Sequence, residues 1–313
     1  MSTAAVMHPA KRQTVWYFFL LALASMIWSG QGVAVKVLDP HLGPIAITFL
    51  PFYVTTLLFV PLLLRQRRKN PGSAPPSAKD WVNFIIAGVG GQMLAQLGMT
   101  WGISKSLASN GAILNLLIPV ISAVLASFML KERLTLLRVV SLTIGLVGVV
   151  FLSVGDLRHA SFGSMKFLIG NLLIFGGCLG SSFYNVYCKR LMHKFQEIEI
   201  LIFSYVTASI ASIPLLIWVE PVHFRSFAAF NGKSIAAFLF LALFMYGASM
   251  LLFFKALQHL DVTTASMSLY LVPVFGVLLA ALLLGERLNP AALAGAAIVL
   301  LSTILVVRYD RSY

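Results

Sequence analysis

The groups that could do acid–base, nucleophilic or metal chemistry stand in the wrong places for it. All ten carboxylates (Asp39, Asp80, Glu132, Asp156, Glu197, Glu199, Glu220, Asp261, Glu286 and Asp310) and all six histidines fall at or beyond the ends of long uncharged stretches. An intramembrane proton relay needs such groups at depth. No HExxH, paired aspartate or GxSxG is present, which removes the usual metalloprotease, aspartyl and serine-hydrolase frameworks. Ser29 in Trp28-Ser29-Gly30 and Asp156 after Val154-Gly155 come nearest to a nucleophile and an acid. They define an intramembrane enzyme as the rival reading, but each is more simply a helix-packing turn or a helix end. Cys178 and Cys188 lie ten residues apart in one apolar segment, about 15 Å along a helix and too far to bridge. With no CxxC and no histidine pair beside them they read as core residues, and no metal or cofactor is expected.

The uncharged stretches instead carry polar and aromatic side chains that are cheap to bury and able to orient a small ligand. We single out Trp28, Gln31, Gln92, Gln96, Asn115, Tyr184, Asn185, Tyr246 and Tyr270 as candidate substrate-binding residues. Gln92 and Gln96, four apart, share a helix face and either line a cavity or bond a neighbouring helix. Tyr184 and Tyr187, three apart, either face a ligand or anchor a membrane interface. Lys36, Lys189 and Lys255 lie near segment ends, where long stems let an ammonium reach water. One turned inward would instead point to an anionic or zwitterionic substrate.

Positioning these residues falls to long apolar helices. The chain is 59% hydrophobic and 11% charged, against about 25% charged in soluble domains. Its net charge of +13 is carried by residues set between apolar runs, which argues for a bilayer and against nucleic acid. Ten uncharged stretches read as transmembrane helices: Thr14–Val35, Leu42–Leu64, Trp81–Ser104, Ser106–Leu130, Val139–Gly155, Phe167–Cys188, Ile200–Val219, Ser234–Phe254, Val262–Gly285 and Leu288–Val307. Residues 1–13 read as a disordered tail. The segment Arg65 to Lys79, rich in Pro, Gly and Ser, reads as the flexible linker. With the N-terminus inside, fifteen Lys and Arg fall on inner segments and six on outer ones, which puts both termini in the cytoplasm.

The chain is also a duplication. An offset of 154 places Pro273 on Pro119, Val274 on Val120, and Glu286-Arg287-Leu288 on Glu132-Arg133-Leu134. The halves are residues 1–156 and 157–313. Five helices per half is an odd number, so the second half is inverted in the membrane. Inverted repeats point to a transporter with a substrate site near the midplane. Pro119 and Pro273, inside equivalent helices, read as hinges or fixed kinks. Gly145, Gly148, Gly295, Ala296 and Ala297 read as close helix contacts.

These residues resemble the drug/metabolite transporter superfamily, EamA type. The resemblance rests on Ile27-Trp28 with Val33-Ala34-Val35-Lys36, on Ala112 to Leu134 with Pro119 and Glu132-Arg133-Leu134, and on Ser266 to Leu288 with Tyr270-Leu271-Val272-Pro273-Val274. It implies an all-α integral membrane fold of ten transmembrane helices in two inverted five-helix repeats, and a central cavity. It also implies export or exchange of small metabolites such as amino acids across a cytoplasmic (inner) membrane, as a monomer or homodimer. The chain departs from the family at Phe49-Leu50-Pro51-Phe52, where members often carry an arginine. Tyr184 to Arg190 is similar to the sugar-phosphate and nucleotide-sugar branches, which keeps an organic-anion exchanger as an alternative.

Overall fold

A computed structural model describes residues 11–70, 75–106, 114–152, 165–221, 227–284 and 290–309. Over them the chain is built from apolar helices. α1 (Lys11–Ser29) continues through one turn at Gly30 into α2 (Gln31–Leu38), and α3 follows as Pro44–Lys69. α4 spans Ala78–Ser104 with a π-helical stretch at Ile86–Met93. α5 is Leu117–Leu130, α6 Leu136–Leu152 and α7 Met165–Leu191. α8 spans Glu197–Val219, and α9 spans Gly232–His259 with a π-helical stretch at Phe240–Ala248. α10 comprises Val262–Met267, a 3-10 turn at Ser268–Tyr270, and Leu271–Leu284; α11 is Pro290–Tyr309.

Six of these helices have the length and hydropathy to cross a membrane: Gln13–Val35, Pro44–Lys69, Ala78–Ser104, Phe167–Leu191, Glu197–Val219 and Gly232–His259. Four apolar helices are shorter over the described residues, at Leu117–Leu130, Leu136–Phe151, Val262–Gly276 and Leu293–Tyr309. The shortest rises about 21 Å at 1.5 Å per residue.

Two boundaries differ from the sequence reading. Among the described residues α1 already includes Lys11, Arg12 and Gln13, three residues of the stretch read as tail. α3 carries its basic cluster as helix through Lys69, so the linker is shorter than Arg65 to Lys79. Arg, Gln and Lys are good helix formers, and the helix runs on to its C-cap at Asn70, the residue before a proline, where the α conformation is disfavoured. The next helix starts at a capping box: the Ser77 hydroxyl accepts from the Asp80 N–H, and the Asp80 carboxylate accepts from the Ser77 N–H at 2.8 Å. The expected junction between 156 and 157, Asp156 itself and Glu286-Arg287 lie outside the described residues.

Helix packing repeats between the halves. α4 packs on α7 as α9 does on α1, α5 on α7 as α10 on α1, and α8 on α4 as α3 on α9; α6 packs on α11 and α3 on α8. The α4–α7 contact is backbone to backbone. A Cβ on Gly98 would lie 2.7 Å from the Gly177 nitrogen, and one on Gly180 would lie 2.6 Å from the Ala95 nitrogen. Gly148 meets the Val299 backbone as closely, at 2.8 Å, which brings α6 and α11 together as small residues do in membrane bundles.

Both prolines follow a break rather than sit in an unbroken helix. α5 starts after a turn at Leu116, and Pro119 falls in its first turn; Pro273 falls in the first turn after the 3-10 segment. A first turn has no use for the missing N–H. The carbonyls at the breaks are met from neighbouring helices: the Cys178 thiol donates to the Leu114 carbonyl at 3.4 Å, and the Ser25 hydroxyl to the Ser268 carbonyl at 2.9 Å. Cys178 and Ser25, like Ser268 and Leu114, are counterparts in the sequence repeat.

Candidate functional site

The two π-helical stretches stand at the same place in the repeat, since Ile86 and Phe240 are 154 residues apart. A π turn interrupts the regular bonding ladder and is frequent at functional sites. One stretch carries Gln92 and the other Tyr246, and they meet across α8. Gln92, only 2% exposed, donates to the Tyr205 hydroxyl at 3.5 Å, and that hydroxyl donates to the Tyr246 carbonyl at 3.0 Å. The Tyr246 hydroxyl donates to Gln96 Oε1 at 3.5 Å, and the Gln31 side chain reaches the same hydroxyl. Phe52 of α3 closes the cluster, stacked on Tyr246 and edge-on to Tyr205, with ring centroids 4.4 Å away in each case. On α1, Trp28 lies against Phe253 at 5.4 Å.

The polar groups of this cluster are amides and phenols, drawn from α2, α4, α8 and α9. Amides offer both donors and acceptors, phenols do the same, and the rings supply flat apolar surface. Such a set offers hydrogen-bond donors, acceptors and flat apolar surface, and carries no fixed charge.

Five of the nine predicted residues lie here: Gln31, Gln92, Gln96 and Tyr246 in contact, with Trp28 on the adjoining part of α1. The other four lie elsewhere. Asn115 sits at the α5 break, donating to the Met99 sulfur at 3.6 Å and within reach of Cys178. Tyr184, 1% exposed, bonds Ser204 at 2.9 Å behind Gly91. Asn185 is buried beside it, and the Tyr187 hydroxyl donates to Asn83 at 2.8 Å. The Tyr270 ring lies over Gly145, in the seam of α10 with α6. Tyr205, Phe52 and Phe253 were not singled out from sequence. A tyrosine amid the aliphatic run Ile200–Val219 was the available signal for the first.

Of the three lysines near segment ends, Lys189 is engaged in a helix cap. The Lys189 ammonium donates to the carbonyls of Leu257, Gln258 (3.1 Å) and Leu260 (3.0 Å), capping the end of α9, where a helix dipole favours a cation. The side chain of Lys36 lies outside the described ones, and Lys255 is exposed. Ser29 donates back to the Met26 carbonyl at 2.6 Å, an ordinary intrahelical bond.

Comparison with known proteins decides the family. The pattern of the EamA-like transporter family matches residues 15–154 and again 168–308. The chain belongs to the EamA-like transporter family. Similar proteins include an "uncharacterized transporter" of Archaeoglobus fulgidus, 27% identical over 93% of this chain and 98% of that one. A "probable terminal-alkyne amino-acid exporter" of Streptantibioticus cattleyicolor is 24% identical over 76% of each. An "S-adenosylmethionine uptake transporter" of Rickettsia bellii is 23% identical over 94% of this chain and 93% of that one. A solved crystal structure superposes with a TM-score of 0.78 at 17% identity, covering 94% of this chain and 98% of its own, and so shares the fold. The chain is a multi-pass membrane protein of a transporter family that acts on small molecules.

Proposed function

We propose that this EamA-like chain is an alternating-access carrier for a small amphipathic metabolite, an amino acid or similar neutral or zwitterionic solute, and that it works as an exporter in the cytoplasmic membrane. Ten transmembrane helices form two inverted five-helix halves, 1–156 and 157–313, with both termini cytoplasmic. The solute binds among Trp28, Gln31, Gln92, Gln96 and Tyr246, with Asn115, Tyr184, Asn185 and Tyr270 flanking the path, and the breaks at Pro119 and Pro273 act as hinges. No residue acts as a catalyst and no metal or cofactor takes part.

The observation that carries this reading is the meeting of Gln92 and Tyr246. They are repeat counterparts, each lies in a π-helical stretch, and Tyr205 joins them in one hydrogen-bonded cluster. Repeat-related interhelical packing supports the inverted pair, and the names of the relatives in two other organisms fit amino-acid-like solutes. The experiment is uptake into proteoliposomes from a panel of amino acids, their amides, sugar phosphates and nucleotides. Saturable uptake of an amino acid or an amphipathic relative that falls in Gln96→Ala and Tyr246→Phe supports the reading. Uptake confined to the phosphorylated solutes would overturn it in favour of an anion exchanger.

A further inference from the structure

The face of the molecule on which α1 begins is held shut by a constellation that the solute site does not use. α5 ends at Lys131, the one non-glycine among the described residues with positive φ, at 59°. That left-handed conformation is unfavourable for a side chain and is usually left to glycine. Here it turns the chain so that the Glu132 N–H folds back on the Ala126 carbonyl at 3.3 Å and the Glu132 side chain reaches into the other half. Its carboxylate accepts from the N–H of Val262 at 2.7 Å, the N–H of Thr263 at 3.1 Å and the Thr263 hydroxyl at 2.8 Å. Next to it Arg138, 1% exposed, bonds Asp261 and donates to the Arg133 carbonyl at 3.2 Å. One half thus clamps the first turn of α10 in the other.

Behind this clamp the α5–α10 seam is polar in an unexpected way. α5 and α10 lie side by side, and the Glu132 to Val262 register carries Ser122 to within about a turn of the depth of Tyr270. Ser122 on α5, and Ser266 and Tyr270 on α10, each bury a side-chain oxygen that has no hydrogen-bond partner among the described residues, the Tyr270 ring lying over Gly145 of α6. An unpartnered buried hydroxyl is costly, and three on the two helices that the clamp joins make little sense if those helices never part. Hydration of all three on opening would offset part of the clamp's hold.

We propose that this face opens between α5 and α10, that Glu132 is the latch that keeps it closed, and that Ser122, Ser266 and Tyr270 line the opened passage and present hydroxyls to a polar solute. This rests on the carrier reading, and the test separates the two. Ser266→Cys is introduced into the otherwise native chain and into Glu132→Ala, Glu132→Gln and Thr263→Val backgrounds. The rate of modification by a small cationic thiosulfonate is then measured on purified protein in detergent. The parent without Ser266→Cys gives the contribution of Cys178 and Cys188, both buried. Glu132→Ala is expected to speed modification of the introduced cysteine by roughly tenfold, the factor that one charge-assisted hydrogen bond is worth. Glu132→Gln and Thr263→Val should give smaller increases. A cysteine at Ser212, fully buried in α8 away from the seam, should stay unreactive in every background.

An unchanged rate at position 266 in both Glu132 variants would overturn the latch, as would an equal acceleration at position 212, which reports general loosening. Glu132→Gln keeps the side chain's size, so the test stands if Glu132→Ala fails to fold. Solute uptake is measured on the same preparations. Latch-dependent labelling without any uptake removes the carrier reading alone, and uptake without latch-dependent labelling removes the latch alone.

Discussion

Gly98→Ala offers a sharp test of how α4 is held, because two effects of opposite sign act at once. Alanine is the better helix former by about 1 kcal/mol, so with room for its methyl group the substitution would stabilise. There is no room: the new Cβ would lie 2.7 Å from the Gly177 nitrogen and the Leu173 carbonyl oxygen, where ordinary contact begins at 3.4 Å. Both atoms are backbone, so no side chain can swing aside, and α4 and α7 must separate by about 0.7 Å, the difference between those distances. Overpacking of this kind costs about 1–3 kcal/mol, so after the propensity gain the net expectation is a loss of up to about 2 kcal/mol. For a chain of this size that lowers Tm by up to about 3 °C. Gly176→Ala, on α7 beside Gly177 and with nothing within 4 Å of its Cβ, isolates the propensity term and should raise Tm slightly. Thermal denaturation of the two variants and the parent in one detergent measures both. A Gly98→Ala protein at least as stable as Gly176→Ala would refute the backbone-contact account of this seam. Because α4 also carries Gln92 and Gln96, solute affinity should fall with the stability.

Three further outcomes follow from the same geometry. Tyr246→Phe removes the hydroxyl that donates to Gln96, and loss of one neutral bond of about 0.5–1.5 kcal/mol should raise KM for the preferred solute roughly twofold to tenfold, with kcat little altered; an unchanged KM contradicts the proposed site. Ser25→Ala takes away the donor to the Ser268 carbonyl and should cost about 1–3 kcal/mol, whereas Cys178→Ser keeps a donor for the Leu114 carbonyl and should be neutral or stabilising by thermal melting. Burial first, and Asp261 next, push the Glu132 carboxyl above its ordinary value of 4.5, while the bonds from Thr263 and Val262 act the other way. Arg138 and Lys189 are the cations nearby. Since the folded value is the higher one, the stability due to protonating Glu132 is complete below pH 4.5 and is lost as pH rises through the folded value. The parent's Tm should therefore fall relative to that of Glu132→Gln as pH rises from 4.5, and a constant difference would refute this.

The sequence is most informative where a residue type fixes a placement by itself. Carboxylates at the ends of apolar runs, a 154-residue repeat with Pro119 on Pro273, and the Glu-Arg-Leu pair were enough to resemble the family to which the chain belongs. Gly148 was read as a close contact and meets the Val299 backbone. Other features depend on partners distant in sequence. Nothing in IAGVGGQM and FLALFMYGA announces a π-helical winding, because an aliphatic or glycine-rich run suits either winding and α8 contacts decide. A Cβ on Gly88, for example, would collide with the Ser204 carbonyl and the Thr207 hydroxyl. Tyr205 is one aromatic among many in its run until Gln92 and Tyr246 are placed around it. The extra helical turns after Leu64 are hidden by charge: Arg65 to Lys69 read as a linker because they leave the apolar zone, yet Arg67 is held at 2.8 Å by Glu199 in the first turn of α8. Ser77-x-x-Asp80, at the end of the segment read as linker, is a capping-box pattern legible in the sequence.

The central claim is a solute path that opens to one compartment at a time, and trans-acceleration tests it most directly. Proteoliposomes are loaded with the radiolabelled solute that the uptake panel selects, and its efflux is timed with and without the same unlabelled solute outside. An alternating-access carrier should release label faster when the outer site is occupied, and the acceleration should saturate with outside concentration. Efflux that is non-saturable and indifferent to outside solute, or no faster than from protein-free vesicles, would contradict the account.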